Sequence, residues 1–474
     1  MKFFLILFLI SFVSFSQEKS KKNTPWTLEA AVEHAVENNL QIKQAYLDVL
    51  DAETLKLQAK GNFLPSLNLS ANHSWNVGLN RNLTTNLLED MTTQFSSGSI
   101  DLGINIYNGR RNIYQLMTSN LGILATKYQL EDMKEDVMLL VVNGYLQTVF
   151  SRENLIVQTN QLSVAKSELE ETKELVNAGV LPKGELLELE ATLASQEQIV
   201  VNAENDFEIA RISLAQLLLI NDYKNFSIAD NDYEMVSSVI MEKSVDELYN
   251  EAIKSRNEIL LAETNVEIAK TNLKIAKASY QPSLSGYYSY NSRVSYADRL
   301  VSTDDFTQIP FGVVEGTGER VLITQSATKV VPHLSILDQL RANDGQNFGL
   351  SLRIPVLNGL SVKNNVQRSK VNLLRSSNQL NQQKLNFERI IYQAYSDAKG
   401  AIKNYEAAKK TTIARKEAYQ YALDRFSLGA STSLQFSQAK QRYDSAISNE
   451  LRSKFDAIFQ IKILEFYFGI PLKM

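Results

Sequence analysis

The chain is written twice. Residues 27–67 recur at 244–284 with a constant shift of 217, pairing Ala35 with Ala252, Ile42 with Ile259, Val49 with Val266, Ala59 with Ala276 and Pro65 with Pro282. Residues 98–220 recur at 348–470 with a shift of 250, pairing Leu102 with Leu352, Gly109 with Gly359, Tyr145 with Tyr395, Gly179 with Gly429 and Leu214 with Leu464. An ungapped register of that length is a duplication, so the fold must be one that two copies of a single unit build together. The two shifts differ by 33, which puts the extra length of the second copy between 285 and 347. The chain therefore divides into a first repeat at 17–220, a connector at 221–243 and a second repeat at 244–474.

Each copy reads as helix, strand, loop, strand, long helix, sharp turn, long helix. Four stretches alternate strictly enough for strands, at about 66–79, 99–107, 283–291 and 347–357. In the first, Leu67, Leu69, Ala71, Trp75 and Val77 share one face, against Ser66, Asn68, Ser70, Asn72 and Ser74. The third sets Leu284, Tyr288 and Tyr290 against serines and Asn291, and the fourth alternates Phe348, Leu350 and Leu352 with Gly349, Ser351 and Arg353. Between the strands and the turns, residues 110–176 hold no proline and would extend roughly 100 Å as one helix. Leu155, Leu162, Leu169 and Val176 recur every seventh residue, as do Leu186, Leu193, Val200, Phe207 and Leu214 after the turn. Heptads on both arms of a tight turn predict an antiparallel coiled-coil hairpin, with tips near 177–184 and, in the second copy, 427–434.

The polar strand faces are rich in Ser, Asn and Gly, and aromatic residues stand near strand ends. That pattern favours a membrane β-barrel over a soluble sheet. Four strands cannot close a barrel, and open sheet edges are not tolerated in lipid. Three copies would supply twelve strands, a size that encloses a lumen. The N-terminus agrees with export. Lys2 precedes an apolar run from Phe3 to Val13 and small residues at Ser14 and Ser16, the pattern of a secretory signal at 1–16. The run is too short to span ~30 Å of hydrocarbon as a helix.

Composition excludes several function classes. The chain has no cysteine, and its histidines are His34, His73 and His333 alone, so thiol chemistry, metal centres and His-based catalysis are poorly supplied. A net charge of −4 implies no nucleic-acid partner. No nucleophile elbow, phosphate loop or zinc helix is present, and neither an enzymatic activity nor a cofactor is expected.

The duplicated "NNLQIKQAYLDVLDAETLKLQAKGNFLPSL" and "RNEILLAETNVEIAKTNLKIAKASYQPSL", the strand ends "YNGRRN" and "LNGLSV", and the turns "NAGVLPKGELLELEA" and "SLGASTSLQFSQAK" resemble the TolC-type outer-membrane efflux proteins. The resemblance covers essentially the whole mature chain. It implies a mainly α protein with a membrane β-barrel portion: a homotrimer with a twelve-stranded barrel in outer-membrane lipid, continued by an α-helical tunnel in the periplasm. Such a trimer is the exit duct for an inner-membrane RND, ABC or MFS transporter, joined through a periplasmic adaptor protein. The other expectation is a periplasmic coiled-coil scaffold without a pore, which would explain the hairpins but not the strands.

The resemblance also assigns residues. The tips, Gly179, Val180, Leu181, Leu428, Gly429 and Ala430, would dock the adaptor, although a glycine there also serves simply as a helix cap. Glu185, six positions after Gly179, occupies the place of an acid that helps hold the tunnel entrance closed, with Glu188 close by. Both also suit a solvated helix face. Ser431, Gln435 and Gln438 stand where characterised members carry an arginine and aspartates, which departs from the family's gating pattern. Asp101 and Arg353 lie on polar strand faces, where they would tune passage through the lumen or pair within the wall. The scarcity of Met and His clusters disfavours soft-metal cargo. Residues 292–346 read as a long loop that covers the pore or faces outward.

Overall fold

A computed structural model describes residues 25–82, 87–229 and 239–468. The signal expected at 1–16 lies outside the described residues, as does part of the connector. The elements follow the duplication closely. Helices α1 (Leu28–Asn38) and α2 (Leu40–Gly61) lead to strands β1 (Ser66–Arg81) and β2 (Leu88–Asn108), then to α3 (Arg111–Asn177) and α4 (Lys183–Leu217). The second copy gives α5 (Val245–Ala252), α6 (Asn257–Ala278), β3 (Ser283–Ser295), β4 (Arg299–Val313), β5 (Arg320–Val331), α7 (Ile336–Ala342), β6 (Gly345–Arg353), α8 (Ser361–Ser427) and α9 (Ser433–Tyr467). Helices α3 and α8 are both 67 residues long, and α4 and α9 are both 35. No described helix is long and apolar enough to cross a membrane.

The chain forms two compact units. One comprises residues up to 50 together with 124–264 and 378 onward. Its main core gathers Ala31 and Ala35 of α1, Val137, Val141, Tyr145 and Val149 of α3, Leu214 and Leu218, and Phe455 and Ile458 of α9. Connector residues Phe226 and Ile228 close this core, and Trp26 bridges to Ile228 in a single parallel pairing. Tyr145 is fully buried, and its hydroxyl donates to the Trp26 carbonyl at 3.0 Å. The second copy builds its own clusters, Ile240, Leu248, Ala394, Ala398 and Leu464 in one and Ala252, Ile259, Phe387 and Ile391 in the other. Arg256 lies over the rings of Phe387, Phe466 and Tyr467 and pairs with Glu135 at 2.8 Å, so its charge is buried but compensated.

The other unit, 51–123 and 265–377, holds the strands. An antiparallel sheet has the order β1-β2-β3-β6. Its register aligns like with like. One row reads Leu67, Leu102, Tyr288, Phe348, and the next Asn68, Asp101, Ser289, Asn347. Because directly opposed residues share a face, the sheet has one apolar and one hydroxyl- and amide-rich surface. The apolar surface is bare: Leu69 and Phe348 are 80% and 75% exposed.

Three expectations for this region change. The second strand starts at Leu88 rather than near 99, because the Thr- and Ser-rich 88–98 is held in the ladder by β1 despite lacking apolar alternation. The fourth stops at Arg353 rather than 357, just before Pro355, which has no N–H to give a ladder. The supposed loop 292–346 is mostly structured: β4 and β5 form a separate two-stranded sheet and α7 follows it.

Removing the Tyr145 hydroxyl (Tyr145→Phe) deletes one hydrogen bond and should lower stability by about 1 kcal/mol. Leu214→Ala leaves a cavity in the same core and should cost roughly 2–5 kcal/mol. Guanidinium unfolding of detergent-solubilised protein, followed by circular dichroism, orders the two.

Candidate functional site

Each long hairpin turns at a glycine. Gly179 and Gly429 have φ of 73° and 68°, in the left-handed region. Their N–H groups donate to the Val176 and Phe426 carbonyls, and those of Val180 and Ala430 to Leu175 and Arg425. Both ends are thus Schellman caps, which satisfy carbonyls that the helix leaves open. A Cβ built on either glycine would meet nothing within 4 Å, so only the backbone angle demands glycine there. Val180 and Leu428 project with 62% and 83% of their surface exposed. Leu181 is half-buried and Ala430 exposed. Both tips therefore offer apolar side chains to solvent on a tightly held turn.

Glu185 sits in the first turn of α4, and its Oε2 accepts from the backbone N–H of Ser433 at 3.0 Å. Ser433 is the first residue of α9, whose free N–H groups carry partial positive charge. The carboxylate therefore joins the first-repeat tip to the second-repeat tip. Thr432 caps the same helix end through the Gln435 N–H. Of the positions that depart from the family pattern, Ser431 buries a hydroxyl without a partner, while Gln435 and Gln438 are exposed. Glu188 is exposed and lines an open-sided cavity of about 740 Å³ between α3, α4 and α9.

A second link beside that cavity was not anticipated from the sequence. Glu168 of α3 accepts from the Lys440 ammonium of α9 and, at 2.7 Å, from the Tyr419 hydroxyl of α8. The Lys440 and Glu168 side chains are only 8% and 10% exposed. Rings surround the link: Phe426 stacks on Phe436 at 4.9 Å and Tyr419 on Tyr443 at 5.4 Å. Burial and the carboxylate push the Tyr419 phenol well above its usual range, so it stays a donor. Burial also pushes Asp444 up to about 6, against the pull of Lys440 and with some help from Glu168. Gln158 continues the seam, giving its amide to the Ser448 hydroxyl at 3.1 Å and accepting from Gln196 at 3.1 Å.

The heptad leucines are therefore not the buried stripe of α3. Leu155, Leu162 and Leu169 are half-buried, whereas Gln158, Gln161, Ala165, Glu168 and Thr172 are buried. The reason is that α3 meets the second repeat along this second stripe as well as its own hairpin partner. One signal could have exposed the link. Glu168 lies eleven residues before Gly179 and Lys440 eleven after Gly429, so aligned tips bring them level.

Asp101 and Arg353 do not pair with each other within the chain. Asp101 accepts from the hydroxyls of Ser289 and Ser99 at 2.6 and 2.7 Å. Arg353 stands opposite Ser283, six positions along β3 from Ser289, which is about 20 Å. Within one chain they remain separate charges on the polar surface.

Comparison with known proteins follows the same outline. The model of the family described as outer membrane efflux protein matches residues 31–218 and 248–456, one stretch in each repeat. No curated protein matches the sequence significantly. Among solved structures, the outer membrane protein VceC from Vibrio cholerae aligns with a TM-score of 0.73 at 15% identity, over 93% of this chain and 96% of that one. The CmeC outer membrane channel of Campylobacter jejuni aligns at 0.72 and 18% identity, over 93% and 85%. The open state of the MtrE outer membrane channel of Neisseria gonorrhoeae aligns at 0.65 and 18%, over 94% and 89%. At such identities the likeness is one of fold.

Lys440→Met would leave Glu168 buried without its counter-charge and should destabilise the chain by roughly 3–5 kcal/mol, while adding Glu168→Met should restore most of that. Asp444 gives a pH signature. Its raised value means the folded chain holds the proton more tightly than the unfolded one. Its ionisation therefore costs nothing below about 3.8 and destabilises progressively as pH rises through about 6. Asp444→Asn should melt above the parent at pH 7.5 and level with it at pH 3.5. A calorimetric Tm difference that is the same at both pH values would contradict this.

Proposed function

Because the chain belongs to the outer membrane efflux protein family, we propose that three copies form a closed channel, the exit duct of a tripartite efflux or type I secretion system. It is a channel-family protein of the outer membrane and not an enzyme. In this reading twelve strands make the barrel, with the apolar surface toward lipid and the Ser/Asn surface toward water. The long helical hairpins form the periplasmic tunnel. Substrates pass through it passively, delivered by an inner-membrane RND, ABC or MFS transporter through a periplasmic adaptor.

The observation that carries the reading is the sheet's register, which gathers a bare apolar surface on one side and Asn68, Asp101, Ser289 and Asn347 on the other. A poreless periplasmic scaffold gives no reason for such a sheet. Asp101 and Arg353 would then be separate lumen charges. The tip residues Val180, Leu181, Leu428 and Ala430 suit adaptor docking, since apolar groups on a rigid turn lose little entropy on burial. Glu185 and the Glu168–Lys440–Tyr419 link both tie first-repeat helices to second-repeat helices. Parting those helices would widen the entrance, so each link favours the closed state.

Glu185→Ala should raise single-channel conductance in planar bilayers, and unchanged conductance would reduce Glu185 to a local helix cap. Gly179→Val with Gly429→Val should strain each turn by about 1–2 kcal/mol without steric clash. Outer-membrane abundance should stay normal while crosslinks to the adaptor and export are lost. Intact export at normal abundance would remove the tips from docking.

A further inference from the structure

Among the described residues, the β4–β5 hairpin has a surface with no partner in its own chain. Its distal half is apolar on both faces: Ile309 opposes Ile323 on one, Pro310 opposes Leu322 on the other, and Phe311 and Val321 flank them. Phe306 and Phe311 are 70% and 76% exposed. Two strands alone are marginal in water, and apolar residues on both faces leave such a hairpin without a core. Its base, by contrast, is well fixed. The Gln339 side chain accepts from the Ser295 N–H and donates to the Ser295 carbonyl, both at 2.9 Å. Ser292 and Asn343 add bonds to the Leu340 and Arg293 carbonyls. The flanking residues Tyr296 and His333 meet at 5.8 Å, and Tyr296 lies beside His73 of β1 at 5.6 Å. The hairpin nevertheless leaves Trp75, Val77 and Leu79 of its own β1 exposed.

Edge lengths indicate what it meets. Among the described residues β1 pairs only with β2, so the other edge of its sixteen residues is open, while β6 offers nine. If β6 of one copy closes against β1 of the next, at least seven positions of β1 remain unpaired, whatever the stagger. Arg353 and Ser66 lie toward the same end of the sheet, so the surplus lies toward Arg81, at the end where the hairpin is anchored. That part of β1 carries Trp75, Val77 and Leu79, all exposed. We infer that the β4–β5 hairpin of one copy packs along the distal part of β1 in the adjacent copy, covering the surplus edge and its own apolar faces together. The inserted segment is then an inter-subunit clasp. This rests on the closed-channel reading, and the occupant is a second copy of this chain.

The absence of cysteine makes a clean test. Two differently tagged chains, one carrying Val77→Cys and the other Val321→Cys, are co-expressed, and membranes are treated with a flexible bismaleimide. A crosslink joining the two tags can only be intermolecular, and it is the expected result. A chain carrying both substitutions shows whether the link instead closes within one copy. A second variant replaces residues 303–326 by a short Gly-Ser turn. Its trimers should form but lose resistance to heat in detergent. Crosslinks confined to one chain, no crosslink in native trimers, or hairpin-less trimers as heat-resistant as the parent would each overturn the inference. Failure to find trimers for the unaltered chain would instead overturn the closed-channel reading.

Discussion

Backbone groups at the edge of a β-sheet must be paired where the sheet lies in lipid, and that requirement governs how this structure is read. The sheet β1-β2-β3-β6 exposes one apolar surface and ends in two open edges. In lipid an unpaired N–H or carbonyl costs several kcal/mol, so such a sheet is compatible with a membrane only when its edges meet those of other copies. The duplication explains why this sheet has four strands: two come from each repeat. It also explains the matched pairs of 67- and 35-residue helices that accompany them.

The helical unit uses two kinds of adhesion. Around Tyr145, Leu214 and Phe455 the contacts are apolar and fully buried, as in an ordinary core. Toward the tips the first and second repeats meet instead through Gln158, Glu168, Tyr419, Lys440 and Asp444, beside a cavity of about 740 Å³. A buried ion pair of this kind gains little over an apolar packing of equal volume, but it is costly to half-break. It suits a seam with two arrangements, one with every polar group satisfied inside and one with those groups returned to water. An apolar seam parted in the same way would expose hydrocarbon. On the closed-channel reading proposed above, the polar seam and the Glu185–Ser433 cap are the contacts that would part at the entrance.

How much of this was legible in the sequence depends on the range of the signal. Alternation placed the apolar rows because a strand's period is local, and the constant shifts carried each assignment from one repeat to the other. Gly179 and Gly429 were legible as turns because a left-handed angle selects glycine. The Glu168–Lys440 pair was not, since its members lie 272 residues apart and each alone reads as a solvated helix charge. The β4–β5 hairpin was hidden for a different reason. Its apolar residues fall on both faces and Pro310 interrupts them, so no period-two pattern remains. The early start of β2 was equally silent, because its Thr/Ser-rich first half is held by pairing rather than by burial.

The most direct test of this account is the mass of the full chain, freshly extracted from outer membranes in mild detergent, by sedimentation corrected for bound detergent. A particle of three chains is predicted, since one copy leaves two sheet edges unpaired. A stable monomer, or a protein recovered in solution without detergent, would contradict the account at its foundation.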